Sequence, residues 1–150
     1  MRTPHPKLAH GELHRSRRSR DFADTAADSA VRLRENADAL FGDAPDGVTL
    51  QLGGRIVYAN HRMAELIGYG DPDRLLGLSS LHFYCDDDLA PVLARLQSTF
   101  FGRPASPARH ELRRLDGTKI QVEATCLLLS LSCARVLLEI VRSVGPEKFN

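Results

Sequence analysis

The chain has 150 residues, of which 43% are hydrophobic and 26% charged, and its formal net charge is +1. That composition is ordinary for a globular chain long enough for one domain. It holds no apolar run near the roughly 18 residues a membrane span needs, and its basic N-terminus lacks the apolar stretch of a secretory signal.

Charge is unevenly placed. Residues 1–20 carry six Lys/Arg against one Glu, whereas residues 21–150 carry fourteen basic against eighteen acidic residues. With Pro4, Pro6 and Gly11 and no apolar period, residues 1–20 read as a disordered basic tail. Its "HRSRRSR" (14–20) is the candidate for a nucleic-acid or anionic-membrane contact, although no aromatics interleave with the charges. His5, His10 and His14 are too irregularly spaced to suggest a metal site. Cys85, Cys126 and Cys133 form neither a CxxC pair nor a disulfide framework, which favours the cytoplasm.

Residues 21–41 predict an amphipathic helix. Asp21 suits the N-cap, and Phe22, Ala26, Ala30, Leu33, Ala37 and Leu40 follow 3–4 spacing. The alanine-rich stripe buries little area by itself, so it needs a partner surface. "GDAPDG" (42–47) ends the helix with turn chemistry. "VTLQL" (48–52) and "RIVYA" (55–59) read as strands joined by a tight "GG" turn, with Ile56 and Tyr58 on one face by period two. Asn60 stands where strand gives way to helix and suits an N-cap. The helix after it points Met63, Leu66 and Ile67 one way, and "DPDRLLG" adds about one more turn.

"DDDLAPVLARLQSTFFG" (86–102) is the clearest helix. Its acidic first turn suits the dipole, and Pro91 falls in the opening turns. Asp86 or Asp87 is the expected cap, and His82 a half-exposed loop residue. The segments 108–115, 118–131 and 134–144 then read as three antiparallel strands. The order predicts an α+β fold: a five-stranded antiparallel sheet with helices over one face, preceded by an N-terminal helix.

Four stretches carry a resemblance: "APDGVTLQLGGRIVYAN" (44–60), "MAELIGYGDPDRLLG" (63–77), "HFYCDDD" (82–88) and "RRLDGTKIQVEAT" (113–125). In this order and spacing they resemble the PAS domain family, the sensory and interaction modules of signalling proteins. The resemblance implies a PAS domain over 42–144, with 145–150 as a short C-terminal tail. It also implies a cavity between the sheet and the helices of residues 61–101. The expected lining comes from Ile56, Tyr58, Met63, Leu66, Ile67, Leu96, Val122 and Leu138. Asn60 would cap the helix and fix the corner.

Family members hold different cofactors or none. The flavin-type cysteine motif is absent, residues 87–101 contain no histidine for haem, and the glutamate of the cinnamoyl-type receptor is replaced by Arg62. No cofactor is expected; the cavity would take a small apolar ligand, or the module would act by dimerising alone. His82, Cys85 and Asp86–Asp88 lack the second pair a metal site needs, and no catalytic constellation appears, so an enzyme is not expected.

The last two strands carry apolar residues on both faces at one end. Something should cover the outer strip, read as Leu127, Leu129, Leu137 and Val141. The stripe Ala26, Ala30, Leu33, Ala37 and Leu40 is the expected complement, within one chain or across a homodimer. The function these readings imply is a non-enzymatic sensory or interaction module in signal transduction. It would serve two-component-type regulation, through a partner protein or an output domain. The alternative is an adaptor using the basic tail. The ending at "GPEKFN" fits either a stand-alone regulator or the input portion of a longer protein.

Overall fold

The computed structural model describes residues 31–103, 105–131 and 134–145. The chain divides into two units, residues 1–36 and 37–150. In the smaller unit, residues 31–36 are helical; Ala26 and Ala30 of the expected stripe, and the whole basic tail, lie outside the described residues. The helical run 31–41 is called α1, and its last residues, 37–41, belong to the larger unit.

The larger unit contains β1 (Gly47–Leu52), β2 (Arg55–Ala59), α2 (His61–Leu66), 3-10 turns at Pro72–Leu75 and Ser80–Phe83, α3 (Asp86–Phe100), β3 (Ala108–Arg113), β4 (Lys119–Leu131) and β5 (Ala134–Ser143). The strands form one antiparallel sheet in the order β2-β1-β5-β4-β3. This is the expected α+β arrangement. The β1–β2 turn uses Gly53 and Gly54 with φ of 58° and 78°. Two consecutive positive φ values suit the right-handed twist of the flanking strands and exclude most side chains. At Gly47 a Cβ would stand 3.0 Å from Met63 Sδ and from Leu66 Cδ1, so the glycine lets α2 pack tightly on the start of β1.

The inner face of the sheet carries the core. Ile56, Ala59, Val122, Leu112 and Val141 pack there with Met63, Ala64, Leu66 and Ile67 of the α2 segment, and with Leu75, Phe83, Tyr84 and Val92. Partner residues across an antiparallel ladder share a face. Leu138 pairs with Leu50 and Leu127, and Val136 pairs with Leu129, so these residues occupy the outer face. Val48, Leu50, Tyr58, Val136 and Leu138 are buried on that face, while Leu127 is 48% exposed.

Two expectations about faces are corrected. The β1–β2 register shifts between Leu50 and Gln51, because Val57 is an extra residue between Ile56 and Tyr58. This bulge breaks the period-two alternation. Ile56 enters the core, whereas Tyr58 pairs with Leu50 on the outer face and its hydroxyl donates to Asp38 Oδ1 at 3.3 Å. Burial, then the Asp38 charge and this hydrogen bond, push the Tyr58 phenol up to about 12. The second correction is the parity of β5. Leu137 and Val141 face inward and Leu138 faces outward, the reverse of the sequence reading. The physical reason is Glu139, which shares the face of Leu137 and Val141. A carboxylate there reads as solvent-facing, yet it is 4% exposed.

Candidate functional site

Asn60 organises the corner below the sheet. It is completely buried, with β-region backbone angles. Its Oδ1 accepts from Met63 N–H at 3.0 Å, capping α2, and from Val48 N–H at 2.9 Å, tying the corner to β1. Its Nδ2 donates to the Phe41 carbonyl at 2.9 Å and the Asp46 carbonyl at 3.0 Å. The predicted cap is therefore also a junction joining the end of α1, the loop before β1, β1 itself and α2.

The cap of α3 differs from expectation. Cys85 occupies the N-cap position, but its thiol makes no capping bond to the helix and instead donates to Glu111 Oε1 at 3.7 Å, and Asp86 and Asp87 are exposed. Asp88 instead accepts from Glu111 N–H at 2.9 Å, while Cys85 N–H donates to the Glu111 carbonyl at 3.2 Å. The acidic turn is thus pinned to β3. His82 is exposed on the Ser80–Phe83 turn.

From this anchor, α3 runs across the inner face. Leu93, Leu96, Gln97 and Phe100 recur at i, i+3, i+4 and i+7, so they share one side of the helix. They form one wall of a pocket of about 340 Å³, whose other walls are the 79–81 turn, Gln51, Gly54 and Leu137. The surface is almost wholly apolar. Phe101, 75% exposed, stands at its open side, whereas Gln51 and Ser80 are 3% and 5% exposed and form its buried side.

Behind Gln51 and Ser80 lies a hydrogen-bonded chain. Ser80 Oγ donates to Gln51 Oε1 at 3.0 Å, and Gln51 Nε2 donates to Glu139 Oε2 at 2.7 Å and to Thr49 Oγ1 at 3.4 Å. The Tyr84 hydroxyl donates to Glu139 Oε1. Burial pushes the Glu139 carboxyl above its usual range, while the bonds from Tyr84 and Gln51 and the charge of Arg95 pull the other way. Burial and the neighbouring carboxylate drive the Tyr84 phenol far up, so it remains a proton donor.

Beside this chain, Arg95 of α3 bonds His110 Nε2 at 2.9 Å and donates to the Ser106 and Ala124 carbonyls at 2.6 and 3.3 Å. His110 Nδ1 is buried without a hydrogen bond, 3.9 Å from Asp88 Oδ1. Burial and the Arg95 charge hold this imidazole below its usual range, and Asp88 opposes them. Burial also pushes the Cys126 thiol up to about 11, which suits a core residue rather than a nucleophile. Among the described residues no three His, Cys, Asp or Glu side chains are grouped to hold a metal ion, and no helix is long and apolar enough to cross a membrane.

Of the eight residues expected around a cavity, Leu96 lines this pocket. Ile56, Met63, Leu66, Ile67 and Val122 are packed in the core, and Tyr58 and Leu138 lie on the outer face. Leu137, expected outside, lines the pocket instead. Of the other interaction residues, Leu33 lies in the helical part of the smaller unit, Ala37 is buried and Leu40 is 75% exposed. Sequence reading missed Gln51, Ser80, Tyr84 and Glu139. For Gln51 and Glu139 the signal is a polar residue within an apolar strand, which acquires meaning only once the strands are paired; Ser80 and Tyr84 lie on and just after a 3-10 turn, where no such pattern marks them.

Residues 32–104 match the family model described as PAS domain. Over 103 residues, 69% of this chain, the sequence is 23% identical to Sporulation kinase A of Bacillus subtilis (strain 168), and the match spans 17% of that kinase. The PAS domain of an HTR-like protein from Haloarcula marismortui superposes with a TM-score of 0.58 and 24% identity, covering 86% of this chain and 99% of that one. A PAS domain in complex with ethanol, from a LuxR-family transcriptional regulator of Burkholderia thailandensis, gives a TM-score of 0.60 at 17% identity. That match covers 73% of this chain and 97% of that one.

Proposed function

We propose that this chain, which carries a PAS domain with the PAS fold, is a non-enzymatic sensory module that takes a small, largely apolar ligand in the pocket under α3. Occupancy would be passed through the sheet to a partner protein or an output domain. The pocket itself carries this reading, because apolar walls with a few buried polar groups make a ligand site. The likeness to a sporulation kinase and the ethanol held by one structural neighbour support it. We read the module as acting in the cytoplasm, without flavin or haem, in a two-component type of pathway; a Soret or flavin band in freshly purified protein would count against that.

The test is an NMR titration of the protein with 1-hexanol. We expect the amides of Gln51, Leu81 and Leu96 to shift in wild type. In Leu96→Trp, which fills the pocket, the response should weaken at least tenfold, with Leu93→Trp at the rim as a second filling variant. Equal shifts in wild type and both variants, or no shifts at all, would remove the pocket as a sensor site.

A homodimer or partner interface is the second part of the proposal. The observation favouring it is Leu127, which is 48% exposed on the outer face, with Leu129 half-buried beside it on the same strand. Burying a leucine is worth about 1.5–3 kcal/mol. Leu127→Asp should therefore weaken self-association by about tenfold or more in sedimentation. A monomeric wild type at high concentration, or an unaffected variant dimer, removes this surface from self-association. The adaptor reading, through residues 1–20, rests on a segment outside the described residues. Salt-dependent binding to DNA or anionic vesicles that is lost on deleting it would favour that reading instead.

A further inference from the structure

The hydrogen-bond directions behind the pocket restrict what its ligand can be. Donors run one way: Tyr84 and Gln51 donate to Glu139, Gln51 also to Thr49, and Ser80 to Gln51. An amide has two donor hydrogens and a hydroxyl one. Gln51 and Ser80 have therefore spent every side-chain donor hydrogen they possess. What they retain is acceptor capacity: the second lone pair of Gln51 Oε1 and the lone pairs of Ser80 Oγ. They are the buried polar side chains that line the pocket, since Ser79 and Gln97 stand at its more exposed side.

Resting on the pocket reading above, we infer that this site selects ligands with an uncharged, hydrogen-bond-donating head, an alcohol O–H or amide N–H, on a short apolar body, and rejects carboxylates. Three features exclude the anion. No Lys or Arg is among the lining residues. The buried Glu139 carboxyl stands behind Gln51, so a second carboxylate would face a like charge wherever Glu139 is ionised. An acceptor head would also force Ser80 to turn its hydrogen away from Gln51 Oε1, leaving a buried acceptor unpaired, which is costly. Protonating Glu139 on Oε1, the Tyr84 side, leaves the bond from Gln51 to Oε2 in place, so the donor hydrogens of Gln51 and Ser80 stay committed in either state of that carboxyl, whereas the like-charge repulsion acts only while it is ionised. The volume of about 340 Å³ is that of about eleven waters, enough for a body of several carbons.

The experiment compares 1-hexanol, hexanamide and hexanoate, which share one apolar chain, by NMR titration of the full chain at neutral pH. The expected result is that the alcohol and the amide shift the Gln51, Leu81 and Leu96 amides, with hexanoate at least tenfold weaker. If hexanoate shifts the same amides at equal or lower concentration, the inference is overturned while the pocket reading stands. If none of the three shifts these amides, the pocket reading fails and the inference falls with it.

Discussion

Asn60→Ala will destabilise the protein by about 3–5 kcal/mol, a large share of the roughly 5–15 kcal/mol that holds a domain folded. Capping alone does not account for so much. Loss of an N-cap costs about 1 kcal/mol. Here the substitution also strands Val48 N–H and the Asp46 carbonyl and leaves the Phe41 carbonyl with only the Ala44 N–H, groups that meet at a side chain with no exposure to water. Each buried group left unpaired costs about 1–3 kcal/mol, and partial relaxation keeps the total below the sum. Urea unfolding should show a lower midpoint with an unchanged slope. Asn60→Ser separates the two roles. Serine can cap Met63 N–H but cannot reach both carbonyls, so it should recover only about 1 kcal/mol. If serine restores wild-type stability, Asn60 is a cap and the junction contributes nothing.

Glu139→Ala is the second large effect, at about 3–5 kcal/mol, because it leaves the Tyr84 hydroxyl and one of the two Gln51 amide hydrogens buried without an acceptor and opens a void. The gentler Tyr84→Phe removes one donor to Glu139 and should cost about 1.5–3 kcal/mol. Its signature is pH. The folded Glu139 carboxyl is raised above its unfolded value. Stability is therefore greatest where the group is protonated in both states. It declines as pH rises through the unfolded value near 4.5, and the loss is complete above the folded value. Tyr84 favours the carboxylate, so removing it raises the folded value further and extends the decline to higher pH. Tyr84→Phe should thus be more destabilising at pH 8 than at pH 5. A deficit that is equal at both would show that the Tyr84 bond does not hold Glu139 in its charged form.

Leu137 and Leu138 show where sequence reading stops. Both are leucines in an apolar strand, and alternation says that they face opposite ways without saying which way is in. That sign is set by pairing: Leu138 stands between Leu50 and Leu127 on the outer face, and Leu137 beside Gln51 on the inner. Tyr58 was misplaced for a related reason. One extra residue, Val57, reverses the alternation, and nothing in "RIVYA" announces it. The pocket was harder still. The family resemblance implied a cavity between the sheet and the helices of residues 61–101, and of the lining expected there only Leu96 borders this pocket, whose polar side joins Ser80 to Gln51, Gln51 to Glu139 and Glu139 to Tyr84 across separations of 29, 88 and 55 residues.

By itself the sequence determined the order of elements, the Gly53–Gly54 hairpin, the Asn60 cap and the extent of α3. Each rests on chemistry confined to a few neighbouring residues: a backbone that must take positive φ, a side chain that reaches N–H groups one turn ahead, a repeat matching 3.6 residues per turn. Tertiary structure alone decided which face of the sheet meets α3, and that a glutamate could be buried there. A carboxylate leaves water only where donors are already placed to meet it, and those donors come from segments that folding, not local sequence, brings together.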